Sequence, residues 1–438
     1  MNGEAIDPSL PKGWQAEKLG DVTTLKTGPF GSSLGKKDYV QGGVPLVNPM
    51  HIRNGRIVPN GSALVAPVTI ERLSEFKLAK GDVVLGRRGD MGRCAVVGET
   101  ESGWLCGTGS LIVRPSCRLD SDYLQRFLSS PSVVAELVGA SVGSTMVNLN
   151  QGILRGLMIP LPPLAEQKRI ADKLELLLGR VDACRARLAR LPALLKRFRQ
   201  SVLAAATSGK LTEEWHKRHH IKDRWGEETV GAIVSRVEAG LNVRCNERPP
   251  AQHEKGLVKI SAVSWGRYND EESKTLLSGA EVAERTKIEV GDFLISRANT
   301  IELVGACVIV HETTRPVYLS DKVLRLVMPN ELKPWLLIVL QSPLGRKQIE
   351  SFASGNQLSM RNLSQANLRQ ICVPCPSPEE REEIVRRVEA LFALADRIEY
   401  RLAETRKTVE RLTPATLAKA FRGELVPQEP SEEPAGLY

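Results

Sequence analysis

An internal repeat constrains the fold of this chain more than any other feature. The stretch IPLPPLAEQKRI at 159–170 returns as VPCPSPEEREEI at 373–384, 214 residues later in a chain of 438. Repetition at a fixed offset means that one structural unit occurs twice, so it is assigned before single elements are considered. In both copies, prolines that a helix interior excludes precede glutamates that the positive end of a helix dipole favours. Each copy therefore predicts the start of a helix.

Apolar residues recur at alternating steps of four and three after each start. This spacing is the a/d pattern of a helix that buries one seam against another helix. The predicted pairing residues are Ile170, Leu174, Leu177, Val181, Leu188, Leu191, Leu195 and Phe198 in the first helix, and Ile384, Val388, Leu391, Ile398, Leu402, Val409 and Leu412 in the second. By itself, the pattern favours an oligomerisation coiled coil or a helix that bridges domains.

The region before each helix also repeats, more weakly, as a globular domain. KGWQAEKLGDVTTLKTG at 12–28 resembles DRWGEETVGAIVSRVEAG at 223–240, GDVVLGRRG at 81–89 resembles GDFLISRAN at 291–299, and GRCAVV at 92–97 resembles GACVIV at 305–310. Short Val/Ile-rich runs punctuated by Gly predict strands, whereas 121–139 and 333–353 predict helices. The predicted fold class is α/β (α+β), with two mixed domains in tandem, each followed by a long helix.

The two helices are expected to pair as an antiparallel coiled coil, because two apolar seams in one chain can bury each other. The predicted segments are a first domain at 1–158, a first helix at 159–212, a second domain at 213–372, a second helix at 373–426 and an acidic tail at 427–438. Charge is unevenly divided among them. Of the net charge of +9, residues 159–210 carry +7 and residues 373–424 carry none.

Composition excludes several classes of protein. Hydrophobic residues make up 42% of the chain and charged residues 25%, which is typical of globular proteins. No apolar run approaches the roughly 18 residues that a membrane helix needs, so we expect a cytoplasmic protein without a membrane partner. The eight cysteines have no even framework, which favours reduced thiols. The basic balance suits a polyanionic partner such as nucleic acid.

Motifs of catalysis and metal binding are weak. GPFGSSLGKK at 28–37 departs from a phosphate-binding loop and is interpreted as a Gly/Ser loop, either able to follow a phosphate backbone or simply solvated. Cys372 and Cys375 have the spacing of half a zinc site, but apolar residues occupy the matching positions of the first copy, so burial is the favoured interpretation. We expect no catalytic residue and no metal ligand in this chain.

Candidate DNA-binding residues are easier to find. Arg with guanine, and Asn or Gln with adenine, can each bond two groups of one base edge, and Lys or Arg can bind phosphates. Such residues recur at matching loop positions of the two domains, although each could instead satisfy its own backbone. The candidates are Lys36, Lys37, Arg53, Arg87, Arg88, Arg93, Asn148 and Asn150 in the first domain, and Arg244, Arg267, Arg297, Asn299, Arg361 and Asn362 in the second.

Two stretches resemble a known family. GSTMVNLNQGILRGLMIPLPPLAEQKRIADKLE at 143–175 is similar to the central conserved region of specificity (S) subunits of type I restriction-modification systems. LPKGWQAEKLGDV at 10–22 resembles the opening of their first target-recognition domain, and the resemblance extends from about residue 10 to 426. The second copy departs from the pattern at Cys375 and Ser377, where the first has Leu161 and Pro163.

The resemblance implies two target-recognition domains that each read one half of a split double-stranded DNA site, with the helix pair as a ruler between them. It also implies two methyltransferase (M) subunits docked on the helices and domains, and restriction (R) subunits recruited through M. The chain itself would be non-catalytic and hold no cofactor, since S-adenosylmethionine belongs to M, and ATP with Mg²⁺ to R. Two alternatives are a coiled-coil scaffold without a DNA role and a self-sufficient methyltransferase or nuclease.

Overall fold

The computed structural model describes residues 10–30, 33–59, 61, 63–88, 91–140, 149–219, 225–264, 266–277, 279–357 and 360–429. The chain forms two compact units. Unit 1 comprises Met1–Ala189 and Glu404–Tyr438, and unit 2 comprises Arg190–Ala403. Both unit boundaries cut through long helices, so the five-segment division made from the sequence stays a prediction.

The mixed domain of unit 1 is built from short strands and helices. Its strands are β1 (Gln15–Lys18), β2 (Thr23–Thr27), β3 (Tyr39–Val47), β4 (Ile52–Arg53), β5 (Arg56–Ile57), β6 (Leu64–Val65), β7 (Val83–Gly86), β8 (Cys94–Val96), β9 (Leu105–Cys106), β10 (Ser110–Pro115) and β11 (Met158–Leu161). Its helices are α1 (Leu19–Val22), α2 (Pro67–Arg72), α3 (Ser121–Leu128), α4 (Pro131–Ala140) and α5 (Gln151–Gly156), followed by the long α6 (Leu164–Thr207).

The mixed domain of unit 2 contains comparable elements. Its strands are β12 (Gly226–Thr229), β13 (Arg236–Ala239), β14 (Cys245–Asn246), β15 (Gly256–Val258), β16 (Ser273–Leu276), β17 (Phe293–Ser296), β18 (Ala298–Asn299), β19 (Cys307–Ile309), β20 (Val317–Tyr318), β21 (Val323–Val327), β22 (Ser354–Gln357), β23 (Met360–Asn362) and β24 (Cys372–Cys375). Its helices are α7 (Glu213–His219), α8 (Val230–Ile233), α9 (Lys333–Gln341), α10 (Pro343–Phe352) and α11 (Gln365–Arg369), followed by the long α12 (Pro378–Phe421).

The sheets confirm the repeat that the sequence predicts. The central antiparallel sheet has the strand order β2-β10-β7-β8 in unit 1 and β13-β21-β17-β19 in unit 2, which is the same topology. Strands β7 and β17, from GDVVLGRRG and GDFLISRAN, are buried along their whole length. Continuous apolar runs of this kind are expected for strands covered on both faces. The predicted mixed fold class is therefore confirmed.

The opening strand of each mixed domain pairs with the strand that leads into its long helix. In unit 1, β1 pairs antiparallel with β11, and in unit 2, β12 pairs antiparallel with β24. Pro160 and Pro374 lie in the closing strands, and their carbonyls accept hydrogen bonds from Tyr123 Oη at 2.7 Å and Trp335 Nε1 at 2.8 Å. The Pro-rich stretch thus begins in a strand that is held both by its partner strand and by a side-chain hydrogen bond.

A buried carboxylate joins the start of each mixed domain to the first turn of a long helix. Glu166 accepts the indole N–H of Trp14 at 3.1 Å, and Glu380 accepts that of Trp225 at 2.9 Å. Glu166 and Glu380 are only 2% and 1% exposed. Because a charge this deeply buried is costly unless it is hydrogen-bonded, both contacts tie the domain to the helix start.

The two long helices run antiparallel within each unit. In unit 1, Arg185 Nη2 donates to Thr413 Oγ1 at 2.8 Å, and Arg406 Nη2 donates to the Leu188 carbonyl at 2.9 Å. Position 185 thus faces 413, and 188 faces 406, so numbers rise along one helix as they fall along the other. In unit 2, Arg199 contacts Asp396 and Glu399, and Arg387 Nη1 donates to the Leu211 carbonyl at 2.7 Å just after α6, so the direction is again antiparallel.

The predicted pairing seam is buried at Ile170, Leu174, Val181, Leu195, Ile384, Val388, Leu402 and Val409, and half-buried at Leu177, Leu188, Leu191, Phe198 and Leu391. Its ends also pack into the cores of the mixed domains, as Ile170 does in unit 1 and Ile384 in unit 2. The seam is therefore shared between the helix pair and the domains.

Two residues of the predicted seam do not belong to its buried part. Ile398 is 39% exposed and Leu412 is 42% exposed. An α-helix turns every 3.6 residues, so a strict 3.5-residue repeat drifts by about 20° per heptad. After Val409 the buried residues are Leu417 and Ala420. The heptad pattern continued from Leu412 would place them at 416 and 419, one residue earlier in each case.

Three further expectations need correction or comment. The predicted helices at 121–139 and 333–353 are each two helices, because the residue before Pro131 or Pro343 is disfavoured in helical geometry. The favoured burial of Cys372 and Cys375 is wrong for Cys372, which is exposed at the first position of β24, whereas Cys375 at its end is half-buried. Within the described ranges, no helix is long and apolar enough to cross a membrane.

Candidate nucleic-acid interface

One end of each central sheet gathers loops that are distant in sequence. In unit 1, Arg87 directly follows β7, its amide donates to the Gly109 carbonyl at 2.9 Å, and its carbonyl accepts from the Leu149 amide at 3.0 Å. Asn150 follows Leu149 and precedes α5. We call the loops at Arg87–Arg88 and Leu149–Asn150 cluster 1. The backbone therefore brings two predicted arginines and one predicted asparagine to the same end of the sheet.

Unit 2 repeats this arrangement. Arg297 directly follows β17, its amide donates to the Lys322 carbonyl at 2.9 Å, and its carbonyl accepts from the Leu363 amide at 2.8 Å. Strand β18 pairs with β23, which sets Ala298 opposite Asn362 and Asn299 opposite Arg361. We call Arg297, Asn299, Arg361 and Asn362 cluster 2. Four predicted residues thus lie on two adjoining segments.

Close backbone approach explains one repeated glycine in these loops. Gly28 follows β2, and a Cβ there would lie 2.0 Å from the Gly107 carbonyl oxygen. Gly240 follows β13 in the second copy, and a Cβ there would lie 1.6 Å from the Leu319 carbonyl oxygen. No side chain fits at such distances, so glycine is required where each strand leaves the sheet.

The arginines of the two clusters differ in the charges and acceptors around them. Partial burial and the neighbouring charge of Arg88 lower the pKa of Arg87, although a guanidinium remains protonated. In cluster 2, the side chains of Arg297 and Arg361 form no ion pair with any residue that the structure describes, and the buried Nε of Arg361 has no acceptor there. An approaching phosphate or guanine edge would supply those acceptors and relieve the repulsion.

Two asparagines of the clusters already bond the protein. Asn150 Oδ1 accepts the Ile153 amide at 2.9 Å and caps α5. Asn299 Oδ1 accepts the Thr300 amide at 2.9 Å, and its Nδ2 donates to Ser264 Oγ at 3.2 Å. Both side chains therefore stabilise the local structure of the protein, whereas the side chain of Asn362 is exposed.

The other predicted DNA-binding residues lie elsewhere or outside the described part of the chain. Arg53 and Arg93 line a groove beside the long helices, and Arg267 forms an ion pair with Asp396 of α12 at 3.0 Å. Arg244 is exposed in the loop before β14. Lys36 and Lys37 lie in a 3₁₀ turn at Lys36–Asp38. Asn148 falls outside the described residues.

Sequence reasoning missed several residues near these sites. Phe30 and Leu241 follow the required glycines by two residues and one residue, and they are 68% and 61% exposed. Exposed apolar side chains at the same loop of both copies suit contact with base edges or a partner. Arg126 and Arg185 also line the groove beside the helices. Both lie in helical sequence patterns, which did not indicate a binding role for either residue.

The described residues contain no group of three or more His, Cys, Asp or Glu that could hold a metal ion. Cys94 and Cys307 occupy matching positions of the two copies, and burial raises the pKa of both thiols to about 12. A thiol with so high a pKa stays protonated and unreactive at neutral pH. These two cysteines are core residues.

Comparison with known proteins adds to this geometry. Residues 11–192 match a family described as the type I restriction modification DNA specificity domain. The chain is 31% identical over 434 residues to the type I restriction enzyme EcoKI specificity subunit of Escherichia coli K12, covering 97% of this chain and 92% of that protein. It is 30% identical to the StySPI specificity subunit of Salmonella potsdam, with the same coverage of both chains.

Solved structures share the fold. The HsdS subunit from Thermoanaerobacter tengcongensis aligns with a TM-score of 0.64 and 21% identity, over 95% of this chain and 98% of that one. A chain from a structure of the type I R-M system aligns with a TM-score of 0.67 and 21% identity, over 95% and 99% of the two chains. At this identity the likeness concerns the fold.

Proposed function

This chain belongs to the family of type I restriction-modification specificity subunits, and from that premise we propose that it reads a bipartite double-stranded DNA site. Each mixed domain acts as a target-recognition domain and binds one half of the site. Cluster 1 serves the first half-site and cluster 2 the second. The paired helices fix the number of base pairs between them.

One observation carries this proposal. In both units the residue after the buried strand β7 or β17 is an arginine, and backbone hydrogen bonds of 3.0 and 2.8 Å join it to a second loop that leads into a short helix. Two distant segments thus meet beside an arginine at the end of the buried strand, twice in one chain. Arginine bonds guanine O6 and N7 together, which is the commonest specific contact in the major groove.

The proposed partners and cofactors follow from family membership. Two methyltransferase subunits dock on this chain, and restriction subunits join through them. S-adenosylmethionine is bound by the methyltransferase, and ATP with Mg²⁺ by the restriction subunit, so this chain contributes specificity and no catalytic group. Under this proposal the chain works in the cytoplasm, where the host DNA lies.

The proposal is tested with the full chain, co-expressed with the methyltransferase encoded beside it. Sequencing of methylated bases in the host should yield a split motif. The double variant Arg297→Ala, Asn362→Ala removes candidate base contacts worth about 1–3 kcal/mol each, so the second half-site should be relaxed or lost. The first half-site and the spacer should stay the same.

Arg236→Ala is the matched control, because Arg236 is exposed on β13 of the same domain and pairs with Glu238 away from cluster 2. It should leave the motif unchanged. A scaffold without a DNA role predicts no methylation motif and no salt dependence, whereas phosphate contacts make log affinity fall with log salt. A self-sufficient methyltransferase predicts methylation by the purified chain with S-adenosylmethionine alone. Either result would sink the proposal.

A further inference from the structure

Each unit has a groove between its mixed domain and its own segments of the long helices. Groove 1, in unit 1, has a volume of about 850 Å³ and is bordered by the β4–β5 hairpin, α3, α6 and the end of α12. Groove 2, in unit 2, has a volume of about 310 Å³ and is bordered by the loop after β18, α9, α6 and α12. The two grooves occupy corresponding places of the repeat, since Cys94 lines the first and Cys307 the second.

Groove 1 is strongly basic. Four arginines line it, and Asp182 is the one acidic residue among its described lining side chains. Asp182 is already bonded to Arg185 at 2.9 Å. Neither Arg53 nor Arg126 forms an ion pair or a side-chain hydrogen bond with any residue in the described ranges. Arg53 and Arg126 therefore bring positive charge to groove 1 that no described residue neutralises by an ion pair.

The floor of groove 1 is apolar. Met50, Ile52, Met91, Leu178 and Leu417 contribute to its lining, and Met50 is 55% exposed. A volume of this size lies within the roughly 300–1,000 Å³ of sites that enclose a ligand. Phosphate oxygens bind cationic side chains and hydrogen-bond donors, so the apolar floor of groove 1 offers no partner to a phosphate backbone. A peptide segment with carboxylates beside apolar side chains fits both the charge and the floor.

Arginines beside groove 2 form ion pairs with acidic residues of α12. Counting 214 residues along the repeat, Glu399 stands where unit 1 has Arg185, and Arg199 stands where unit 1 has Thr413. Arg199 bonds Asp396 at 2.6 Å and Glu399 at 2.7 Å, and Arg267 also reaches Asp396, at 3.0 Å. The repeat thus keeps the groove, but it places an acidic residue where unit 1 has Arg185, and the arginine that lines groove 2 at position 199 is ion-paired.

We propose that groove 1 is a docking site for an acidic segment of a protein partner, and that groove 2 does not attract this segment by charge. The inference rests on the proposed assembly with methyltransferase subunits, and it adds a site and an asymmetry to it. The two partner copies then bind the two units with unequal dependence on salt. The affinity of the copy at unit 1 should depend more strongly on salt, because opposite charges attract over about 30 Å at 0.01 M salt and over about 8 Å at 0.15 M.

The test titrates the purified methyltransferase subunit onto the full chain and resolves the two binding steps by native mass spectrometry at low and high salt. The double variant Arg53→Glu, Arg126→Glu should weaken one of the two steps by about tenfold or more at low salt, and less at high salt. Arg56→Glu is the matched control, because Arg56 lies opposite Arg53 on the neighbouring strand of the same hairpin but does not line groove 1. It should change neither step.

Arg53→Gln, Arg126→Gln serves as a milder variant if the charge reversal fails to fold, and it should weaken the same step by a smaller factor. Equal weakening of both steps, or none, would overturn the inference while leaving assembly and methylation intact. Unchanged partner binding with weaker DNA binding would also overturn it, since the occupant would be DNA. Failure of the wild-type chain to bind any methyltransferase would instead count against the proposed function.

Discussion

Individual residues show how a repeat separates structural roles from roles in readout. Asn150 caps α5 in unit 1, and Ser364, 214 residues later, caps α11 by accepting the Asn367 amide at 3.1 Å. Asn and Ser are both good helix caps, but Ser cannot bond two groups of an adenine edge as Asn can. The shared property of this position is capping.

We therefore predict that Asn150→Asp retains both stability and the methylation motif, because Asp caps a helix as well as Asn does. Asn150→Ala should lower the free energy of unfolding by about 1 kcal/mol through loss of the cap. Thermal unfolding and methylome sequencing of both variants check this. Loss of the first half-site in Asn150→Asp, with normal stability, would instead assign Asn150 to base readout.

At the scale of elements, buried hydrogen bonds attach the long helices to the mixed domains. The indole of Trp14 is 3% exposed and donates to Glu166 in the first turn of α6. Glu380 accepts hydrogen bonds from the indole N–H of Trp225 and from the hydroxyl of Thr212 at 2.7 Å. It also contacts a ring nitrogen of His216. Each domain is therefore attached to the start of a helix by a buried polar contact as well as by apolar packing.

Trp14→Phe keeps an aromatic ring but removes the N–H that Glu166 accepts. A hydrogen bond to a charged group contributes about 1.5–3 kcal/mol, so unfolding of unit 1 should become easier by about that amount. The measurement is the midpoint of chemical or thermal unfolding. Trp104→Phe is the control, because the side chain of Trp104 donates no hydrogen bond to a described residue. Equal losses in both variants would show that ring volume, rather than the indole N–H, matters.

At the scale of the whole molecule, the proposed ruler can be changed without disturbing either unit. The unit boundaries fall after Ala189 in α6 and after Ala403 in α12. Inserting one heptad at both points lengthens each helix by about 10.5 Å, at ~1.5 Å per residue, and preserves the antiparallel register. Under the proposed function, the spacer between half-sites should grow by about three base pairs, at ~3.4 Å per base pair.

Methylome sequencing of a host that carries the lengthened chain and its methyltransferase measures this spacer directly. Both half-sequences should remain unchanged, because clusters 1 and 2 lie inside the units. Replacing exposed residues of the same helices without changing their length is the control and should leave the spacer unchanged. An altered half-sequence, or an unaltered spacer in the longer chain, would contradict the separation of reading from spacing.

The sequence by itself determined the repeat, the two long helices and the strands β7 and β17, because these depend on local period and on runs of apolar residues. It also selected Arg87, Arg297 and their asparagine neighbours as loop residues. These features are short-range, so they can be found without knowing which segments meet. The outer end of the heptad failed at Leu412 because the 3.6-residue turn of a helix is set by its backbone and drifts from a strict sequence period.

Only the tertiary structure decided which of these residues meet. Hydrogen bonds between residues tens of positions apart, such as Leu149 with Arg87 and Leu363 with Arg297, assembled clusters 1 and 2. The same long-range packing places Arg53 and Arg93 in groove 1, beside helix residues. No local sequence pattern indicates that these residues are neighbours. Pairing across such distances depends on the whole core rather than on any short stretch of sequence.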